Sequence, residues 1–420
     1  MKNNEKILVV GTTSDYIDWL RRTGEGRGLF LTDPQVRRQA KEPAPEAKEE
    51  ILCGLTDVGL IRMALRDHLS QWNMILSGIT CFDCESLGLA AFLAEDLDLS
   101  FPSVESVRIC RDKYTTSSRW LKRSVRTPRF MLGRTPYDAA DFREKIGRPC
   151  VLKPVSGSGS ELVFRCETVN GCQRTARTLL QGIQERKENR LYKAATDCFL
   201  IEEFIEGVEY SCDFALQNKQ VEIIRLTRKV KAPSAPFGTT MAYIPTTCEA
   251  EGLPPLEGLL AKAAQALGLS RALCMVDFLF SGDEVVFLEL TPRPGGDCLP
   301  HLLQYAAGLD MLKLALDFAG RTGLDLPGPA AAVGSVGLRL HADRAGRIKE
   351  ISTELLEKDP RVKSIHLIRQ NGHLVILPPE EYESWYLGHV LFTPDPLSDV
   401  EGQCEELARL LVVDIEASEP

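Results

Sequence analysis

Two acidic residues inside apolar runs carry the clearest chemical signal in this sequence. The runs are Met275–Phe280 and Val285–Leu290, and they contain Asp277 and Glu289. If a three-residue loop, 282–284, joins them as a hairpin, the two acids stand directly opposite each other, with Cβ atoms roughly 5 Å apart. A loop of two or four residues would place them on opposite faces. Paired carboxylates in an apolar setting favour a hard cation such as Mg²⁺, whereas a purely structural role requires each acid to reach solvent separately.

The segment that follows the second run, Thr291 to Gly296 (TPRPGG), contains a rigidly placed arginine. The prolines restrict the backbone and direct Arg293 toward the face that holds the two acids. A guanidinium there suits stabilisation of charge on a transferring phosphoryl group or an oxyanion. The alternative is a surface arginine in a turn.

A glycine- and serine-rich loop, Val151 to Ser160 (VLKPVSGSGS), has a lysine, Lys153, in the strand before it. Glycines allow backbone N–H groups to approach phosphate oxygens, and serine hydroxyls add donors. A loose hairpin with a surface lysine explains this segment equally well when it is considered alone.

The acidic end of another apolar strand, Leu200 to Glu209 (LIEEFIEGVE), offers a third set of polar groups. Its backbone can present groups to an adenine edge, and Glu209 is a candidate for binding ribose hydroxyls. A solvated strand end is the simpler interpretation of this segment by itself.

Composition limits the function classes. The 420 residues include 44% apolar and 26% charged residues, which indicates a globular protein of two to four domains. The net charge of −9 argues against nucleic-acid binding, and no apolar run has the length of a membrane span. We expect no signal peptide and a cytoplasmic location. The 13 cysteines and six histidines are dispersed, so reduced thiols that fill the core are favoured over a metal or redox site.

The elements that must position these residues alternate between strands and helices. An N-terminal open α/β domain is expected over residues 1–105, beginning with the strand Lys6 to Val10, which no GxGxxG motif follows. A helix is predicted over Arg111 to Lys122, and hairpin-like strands follow it. Residues 331–420 are predicted to form a small C-terminal lobe, in which Asn371-Gly372 favours a tight hairpin turn.

Four motifs in one order resemble the ATP-grasp superfamily over almost the whole chain. The motifs are RDK ending at Lys113, LKP at Lys153 with its SGSGS loop, EEFIEGVE ending at Glu209, and the stretch from Asp277 to Asp297. The stretch RPGGDCLPHLL from Arg293, and YLGHVLF from Tyr386, are similar to those of L-amino-acid ligases. The resemblance implies an α/β fold, α+β in its ATP-binding part: a pre-ATP-grasp domain, an ATP-grasp domain over 106–330 with a mobile lid at about 130–205, and a small C-terminal lobe.

The resemblance also implies a role for each matching residue. Lys113 and Lys153 would contact the phosphates of ATP, and the loop Ser156, Gly157, Ser158, Gly159, Ser160 would close over them. The strand end with Glu202 would hold adenine through the backbone of Glu203 and Ile205, and Glu209 would bind ribose. Asp277, Glu289 and Thr291 would hold Mg²⁺, or Mn²⁺, and Arg293 would stabilise the acyl phosphate and the tetrahedral intermediate.

Two positions depart from the superfamily pattern: Thr291 replaces the usual asparagine, and Glu161-Leu162 stand where a further glycine is common. The expected activity joins small-molecule carboxylate and amine substrates, amino-acid-like ones, in a protein that can form a homodimer. The alternatives are an ATP-grasp carboxylase, a nucleotide-precursor ligase, or an ATP-binding regulatory protein without turnover. The sequence does not identify the substrates: the basic residues Arg225, Arg228, Lys229 and Lys231 suit a carboxylate or a solvated face.

Overall fold

The computed structural model describes residues 4–192, 197–232, 235–324, 326–396 and 399–416. Within these ranges, no helix is long and apolar enough to cross a membrane.

A parallel four-stranded sheet with helices around it forms the N-terminal part. Its strands have the order β3-β2-β1-β4. The elements are β1 (Glu5–Val10), α1 (Ser14–Thr23), β2 (Gly28–Thr32), α2 (Pro34–Gln39), β3 (Glu50–Leu52), α3 (Val58–Gln71), β4 (Ile75–Thr80) and α4 (Leu87–Asp96). Strands β1 and β2 are mostly buried because helices cover the sheet, which accounts for apolar runs such as that of β1.

Two short helices lead into a second sheet. The elements here are α5 (Val104–Arg111), α6 (Lys113–Lys122), β5 (Phe130–Gly133), α7 (Pro136–Ile146), β6 (Cys150–Pro154), β7 (Phe164–Cys166), α8 (Val169–Glu185) and β8 (Phe199–Glu203). The strands pair antiparallel in the order β5-β8-β6-β7. Buried residues of α8, among them Leu179 and Ile183, pack with Leu152 and Phe199 of this sheet.

The single helix predicted over Arg111 to Lys122 is wrong in one respect, because Asp112 separates two helices: α5 ends at Arg111 and α6 begins at Lys113. The Asp112 side chain accepts a hydrogen bond from the Thr115 N–H and so begins α6 as its N-cap. Lys113 is therefore the first residue of a new helix. Its own N–H donates to the Val155 carbonyl (2.9 Å), which ties this helix start to the glycine loop.

An antiparallel sheet of eight strands forms the centre of the molecule, in the order β13-β12-β9-β10-β11-β14-β18-β16. Its first elements are β9 (Val208–Gln217), β10 (Gln220–Lys231), β11 (Thr240–Pro245), α9 (Cys248–Glu251), α10 (Glu257–Ala266), β12 (Ala272–Ser281), β13 (Glu284–Thr291), α11 (Leu299–Ala307) and α12 (Met311–Ala319). One face packs on α10 and on Trp120 of α6 in the largest apolar cluster. The other face carries polar residues at the end formed by β9, β10, β12 and β13.

The C-terminal elements continue this sheet. They are β14 (Val336–His341), β15 (Gly346–Ser352), α13 (Glu354–Lys358), β16 (Val362–Leu367), β17 (Leu374–Val375), β18 (Tyr386–Phe392), α14 (Val400–Arg409) and β19 (Val412–Glu416). Strands β14, β18 and β16 lie in the central sheet, whereas β17, β15 and β19 form a separate small one. The division into 1–105, 106–330 and 331–420 stays a prediction, and the central sheet crosses its second boundary.

The predicted hairpin at Asn371-Gly372 is wrong, although a turn is present there. The strands on either side of it belong to different sheets: β16 pairs with β18, and β17 pairs with β15. The turn sequence therefore reverses the chain, but long-range pairing decides which strands become neighbours.

Candidate active site

The β12–β13 hairpin places its two acids opposite each other, but not by the predicted loop. The turn has two residues, 282–283, since Ser281 pairs with Glu284. The pairing continues regularly to Phe278 and Phe287, and then a β-bulge at Leu288 adds one residue. That extra residue brings Glu289 opposite Asp277 and restores the common face that a two-residue loop would have lost. The predicted three-residue loop is therefore wrong, while the predicted pair is present.

A cavity of about 720 Å³ lies between this hairpin, the second sheet and the glycine loop. Twelve of the residues predicted from sequence line it: Lys113, Lys153, Gly157, Ser158, Gly159, Ser160, Glu202, Glu203, Ile205, Glu209, Asp277 and Glu289. These residues come from four separate stretches of the chain, so the fold brings together what the motif order could only suggest.

Ion pairs organise the charged residues of the cavity. Lys153 contacts Glu202 (2.7 Å) and Lys113 contacts Glu289 (3.2 Å). Burial by itself would raise the pKa of Glu289, but the charges of Lys113 and Lys153 outweigh it and lower the pKa to about 2. The cavity therefore contains ionised acids and lysines next to one another, which is a suitable environment for a polyanion and a cation together.

Lys229 is one of the four basic residues whose role the sequence left open. Its ammonium lies between Glu209 (2.6 Å) and Asp277 (3.0 Å), and it lines the cavity. Lys231 also contacts Glu209 (2.6 Å). The alternation of the two lysines along β10 was the available signal, because residues two apart share a face. Arg225 is instead buried in a pair with Asp213 (2.8 Å).

Asp277 has the free oxygen that a metal ligand needs. Its Oδ2 accepts from Lys229, while within the described residues its buried Oδ1 has no hydrogen-bond partner. Burial raises the pKa of Asp277, and the neighbouring charge of Glu289 adds to this, against the opposing effect of Lys229. A divalent cation beside Asp277 and Glu289 would satisfy that oxygen and relieve the repulsion, so these two residues fit Mg²⁺.

Aromatic and basic groups to which the sequence assigned no role line the cavity beside the strand end at Glu202 to Ile205. Phe204 follows β8 and packs edge-on against Phe237, with ring centroids 6.1 Å apart. The Arg165 guanidinium lies 3.9 Å from the Phe204 ring centroid. The Glu203 N–H donates to the Arg129 carbonyl (2.9 Å), so any contact of its backbone with adenine has to use the carbonyl oxygen.

The glycine loop contacts the loop between β10 and β11. The Ser160 hydroxyl donates to the Gly238 carbonyl (3.1 Å), which joins this loop to the one between β10 and β11. Pro233 and Ser234 of that second loop lie outside the described residues. At the position where a further glycine is common, buried Leu162 has a positive φ of 56°. Glu161 beside it accepts from Arg186 and from the Tyr192 hydroxyl, each at 2.5 Å.

Three predicted residues do not line the cavity within the part of the chain that the structure describes. Ser156 donates to the Leu191 carbonyl (2.5 Å). Thr291 is buried opposite Met275. Arg293 contacts the Cys84 sulfur from Nε (3.2 Å) and Nη2 (3.1 Å). Their roles stay predictions.

A buried ion pair fixes the segment that carries Arg293. Asp213 accepts from the Gly295 N–H (2.9 Å) as well as from Arg225. A Cβ atom at Gly295 would lie 2.9 Å from Leu299, 3.0 Å from Asp213 and 3.1 Å from Arg225, so a larger residue would force these neighbours to shift.

A family model described as an ATP-grasp domain matches residues 146–301. The chain contains an ATP-grasp domain. The match covers strands β6 to β13 and thus most of the cavity described above. The resemblance that the ordered motifs suggested is confirmed.

Two known proteins that are similar to this chain share less than a quarter of its residues over the matched length. It is 23% identical over 245 residues to the uncharacterised protein y4rH of Sinorhizobium fredii, a match that covers 57% of this chain and 49% of that protein. It is 22% identical over 329 residues to a formate-dependent phosphoribosylglycinamide formyltransferase of Sulfurisphaera tokodaii, with 74% of each chain covered. The chain thus spans about half the length of the first of these relatives.

The fold of a solved structure matches over nearly the whole chain. The L-amino acid ligase of Bacillus licheniformis superposes with a TM-score of 0.75 at 18% identity, covering 98% of this chain and 99% of that one. This likeness confirms the expected mixed α/β fold.

Proposed function

We propose that this protein is an ATP-dependent carboxylate–amine ligase that forms an amide or peptide bond through an acyl phosphate. The observation that supports this most strongly is the single cavity shared by the glycine loop, two lysines and the facing acids Asp277 and Glu289. An ATP-grasp domain over 146–301 supports the same reaction class.

In this proposal the nucleotide lies along the cavity. Lys113, Lys153 and the glycine loop bind the phosphates, and the strand end at Glu202 to Ile205 with Phe204 encloses adenine. Glu209 binds the ribose hydroxyls, while Lys229 and Lys231 keep its carboxylate ionised and in position. Burial favours the protonated form of Glu209, but these two lysines outweigh it and lower its pKa to about 2.

Asp277 and Glu289 would hold Mg²⁺, which supplies positive charge for the phosphate oxygens when it is bound. Lys113 and Lys229, now paired with these acids, are then free to turn toward the phosphates. The acids thereby exchange lysine for Mg²⁺, and the lysines exchange carboxylate for phosphate. This exchange costs less free energy than leaving buried charges unpaired.

The chemistry begins with attack of a substrate carboxylate oxygen on the γ-phosphorus, and ADP leaves. The amine nitrogen then attacks the acyl carbon, inorganic phosphate leaves, and the amine loses a proton. Arg293 stabilises negative charge in both steps, for which its guanidinium must turn away from Cys84. Closure of the glycine loop over the phosphates would exclude water, which would otherwise hydrolyse the acyl phosphate.

The finer proposal is that both substrates are small and amino-acid-like and that the protein forms a homodimer. The fold of the L-amino acid ligase supports this substrate class. A nucleotide-precursor ligase is the second candidate, because the chain is similar to a formate-dependent phosphoribosylglycinamide formyltransferase over 74% of its length.

A phosphate-release screen tests the proposal. Purified protein with ATP and Mg²⁺ is given pairs of amino acids, and, in separate wells, formate or bicarbonate with an amine acceptor; products are identified by mass spectrometry. We expect release to require both a carboxylate and an amine, and to stop in EDTA and in Asp277→Asn. Release only with bicarbonate indicates a carboxylase. Tight ATP binding without release from any pair would instead identify a regulatory protein.

A further inference from the structure

Three histidines from distant parts of the chain meet in one cluster away from the ATP cavity. His301 is on α11, His366 on β16 and His389 on β18. The His301 ring centroid lies 4.8 Å from that of His366 and 4.8 Å from that of His389, and the last two are 5.0 Å apart. Half of the six histidines of the chain are thus in mutual contact.

A carboxylate completes the cluster. Asp15 of α1 offers an oxygen that lies, with one ring nitrogen each of His301 and His366, in a group whose members are all within 4.8 Å of one another. Two imidazoles bound to one tetrahedral zinc ion, at Zn–N distances of about 2.0–2.1 Å, have ring centroids about 5 Å apart. The observed 4.8 Å between His301 and His366 agrees with this spacing.

The ring nitrogens of this cluster are available. In the described part of the chain, no protein group makes a hydrogen bond to the ring nitrogens of His301 or His366. Burial lowers the pKa of His301 to about 4, so its imidazole is neutral near pH 7 and keeps a lone pair for a ligand bond. The His389 Nδ1 instead lies 3.4 Å from the Tyr386 hydroxyl, which places it beside the group and not in it.

We propose that Asp15, His301 and His366 bind one divalent transition-metal ion of the zinc class, with a fourth position open to water. Two imidazoles and one carboxylate select such borderline ions over Mg²⁺, which prefers oxygen ligands. The site is therefore chemically distinct from the pair Asp277 and Glu289.

The bound ion would join three elements that are far apart in the sequence. It links α1 of the N-terminal part to α11, which follows the Arg293 segment, and to the sheet-edge strand β16. We therefore expect it to raise the thermal stability of the protein, because it binds a site that exists only in the folded state.

Metal binding to tag-free protein, dialysed first against EDTA and then against metal-free buffer, tests the proposal without ATP or substrate. Zn²⁺ is counted by mass spectrometry after equilibrium dialysis, and Co²⁺ is added in parallel to record the visible spectrum. We expect one ion per chain, a raised Tm, and a cobalt spectrum without the thiolate bands that binding to one of the 13 cysteines would cause.

The variants decide which residues hold the ion. Even residues that only hydrogen-bond to metal ligands usually contribute tenfold or more to metal affinity. Loss of a direct ligand in Asp15→Asn or in His366→Gln should therefore lower the affinity by at least about tenfold and remove the Tm shift. His68→Gln, at a half-buried position of α3, and Asp277→Asn should bind zinc with the affinity of the unmodified protein. Asp15→Asn changes a partly exposed helix residue, so this variant still tests metal binding if His366→Gln does not fold. Absence of binding in the unmodified protein, or unchanged affinity in folded Asp15→Asn, would overturn the proposal.

Discussion

At the residue scale, the cavity depends on side chains whose charges are balanced in pairs. Lys153 and Glu202 are both buried and contact each other at 2.7 Å. Removing one member of a buried pair leaves the other charge uncompensated, which costs roughly 3–5 kcal/mol. Loss of a lysine here therefore affects stability as well as ligand binding, and a test of function has to separate the two effects.

Replacing Lys153 with Met should weaken ATP binding at least tenfold, or about 1.4 kcal/mol, because a positive charge next to the phosphates is lost. It should also lower the free energy of unfolding, because Glu202 loses its partner. The double variant Lys153→Met with Glu202→Gln should recover stability without recovering ATP affinity, as measured by calorimetry and denaturant unfolding. Lys363→Met, at an exposed position, is the control. Unchanged ATP affinity in either Lys153 variant would contradict a phosphate contact.

Replacing Arg293 with Lys should lower kcat roughly 10²- to 10³-fold and leave the KM for ATP nearly unchanged. An ammonium keeps the charge but not the planar fork that can bind two oxygens at once. Steady-state kinetics with the substrates found in the screen measures both constants. Arg22→Lys, an exposed arginine on α1, is the control. A kcat equal to that of the unmodified protein would place Arg293 outside the catalytic residues and leave it as a contact of Cys84.

At the scale of elements, the β12–β13 hairpin decides where the acids point. Its two-residue turn alone would set Leu288 opposite Asp277, and the bulge moves Glu289 into that place. The strand consequently directs Val285, Phe287 and Leu290 into the apolar core while Leu288 and Glu289 both line the cavity.

Deleting Leu288 should remove the bulge and leave Asp277 paired with Glu289, because every other pair of the ladder stays the same. We expect the Mg²⁺ concentration for half-maximal turnover to change by less than about threefold. Leu288→Ala, which keeps the bulge and shortens only the side chain, is the matched control. If the deletion variant folds but Mg²⁺ no longer supports its turnover, the local twist that the bulge introduces is itself required for Mg²⁺ binding.

At the scale of the whole molecule, contacts with distant segments hold the glycine loop in place. Ser160 binds the Gly238 carbonyl. Arg186 at the end of α8 bridges Glu161 of the loop and the carbonyls of Pro379 (2.9 Å) and Glu380 (2.5 Å). The lid predicted over residues 130–205 is thereby connected to both the central sheet and the C-terminal part.

Binding of ATP with Mg²⁺ should slow amide hydrogen exchange in residues 156–163 and 235–239, because closure over the phosphates protects both loops together. Strands β14 and β18, which lie away from the cavity, should exchange at the same rate with and without nucleotide. In Ser160→Ala the protection of 235–239 should decrease. Equal exchange of the two loops in the presence and absence of ATP would show that they do not move with nucleotide.

Sequence alone determined the chemistry that each segment can offer. Lysine before a glycine-rich loop, acids inside apolar strands and an arginine between prolines are local features, and their order along the chain was enough to predict an ATP-grasp domain. Tertiary structure decided which groups meet. Lys229 lies between Glu209 and Asp277 because β10, β9 and β12 are neighbours in the sheet, and Arg293 lies on Cys84 because the N-terminal part packs there. Pairing across long sequence separations depends on the packing of entire sheets, so no local pattern encodes it.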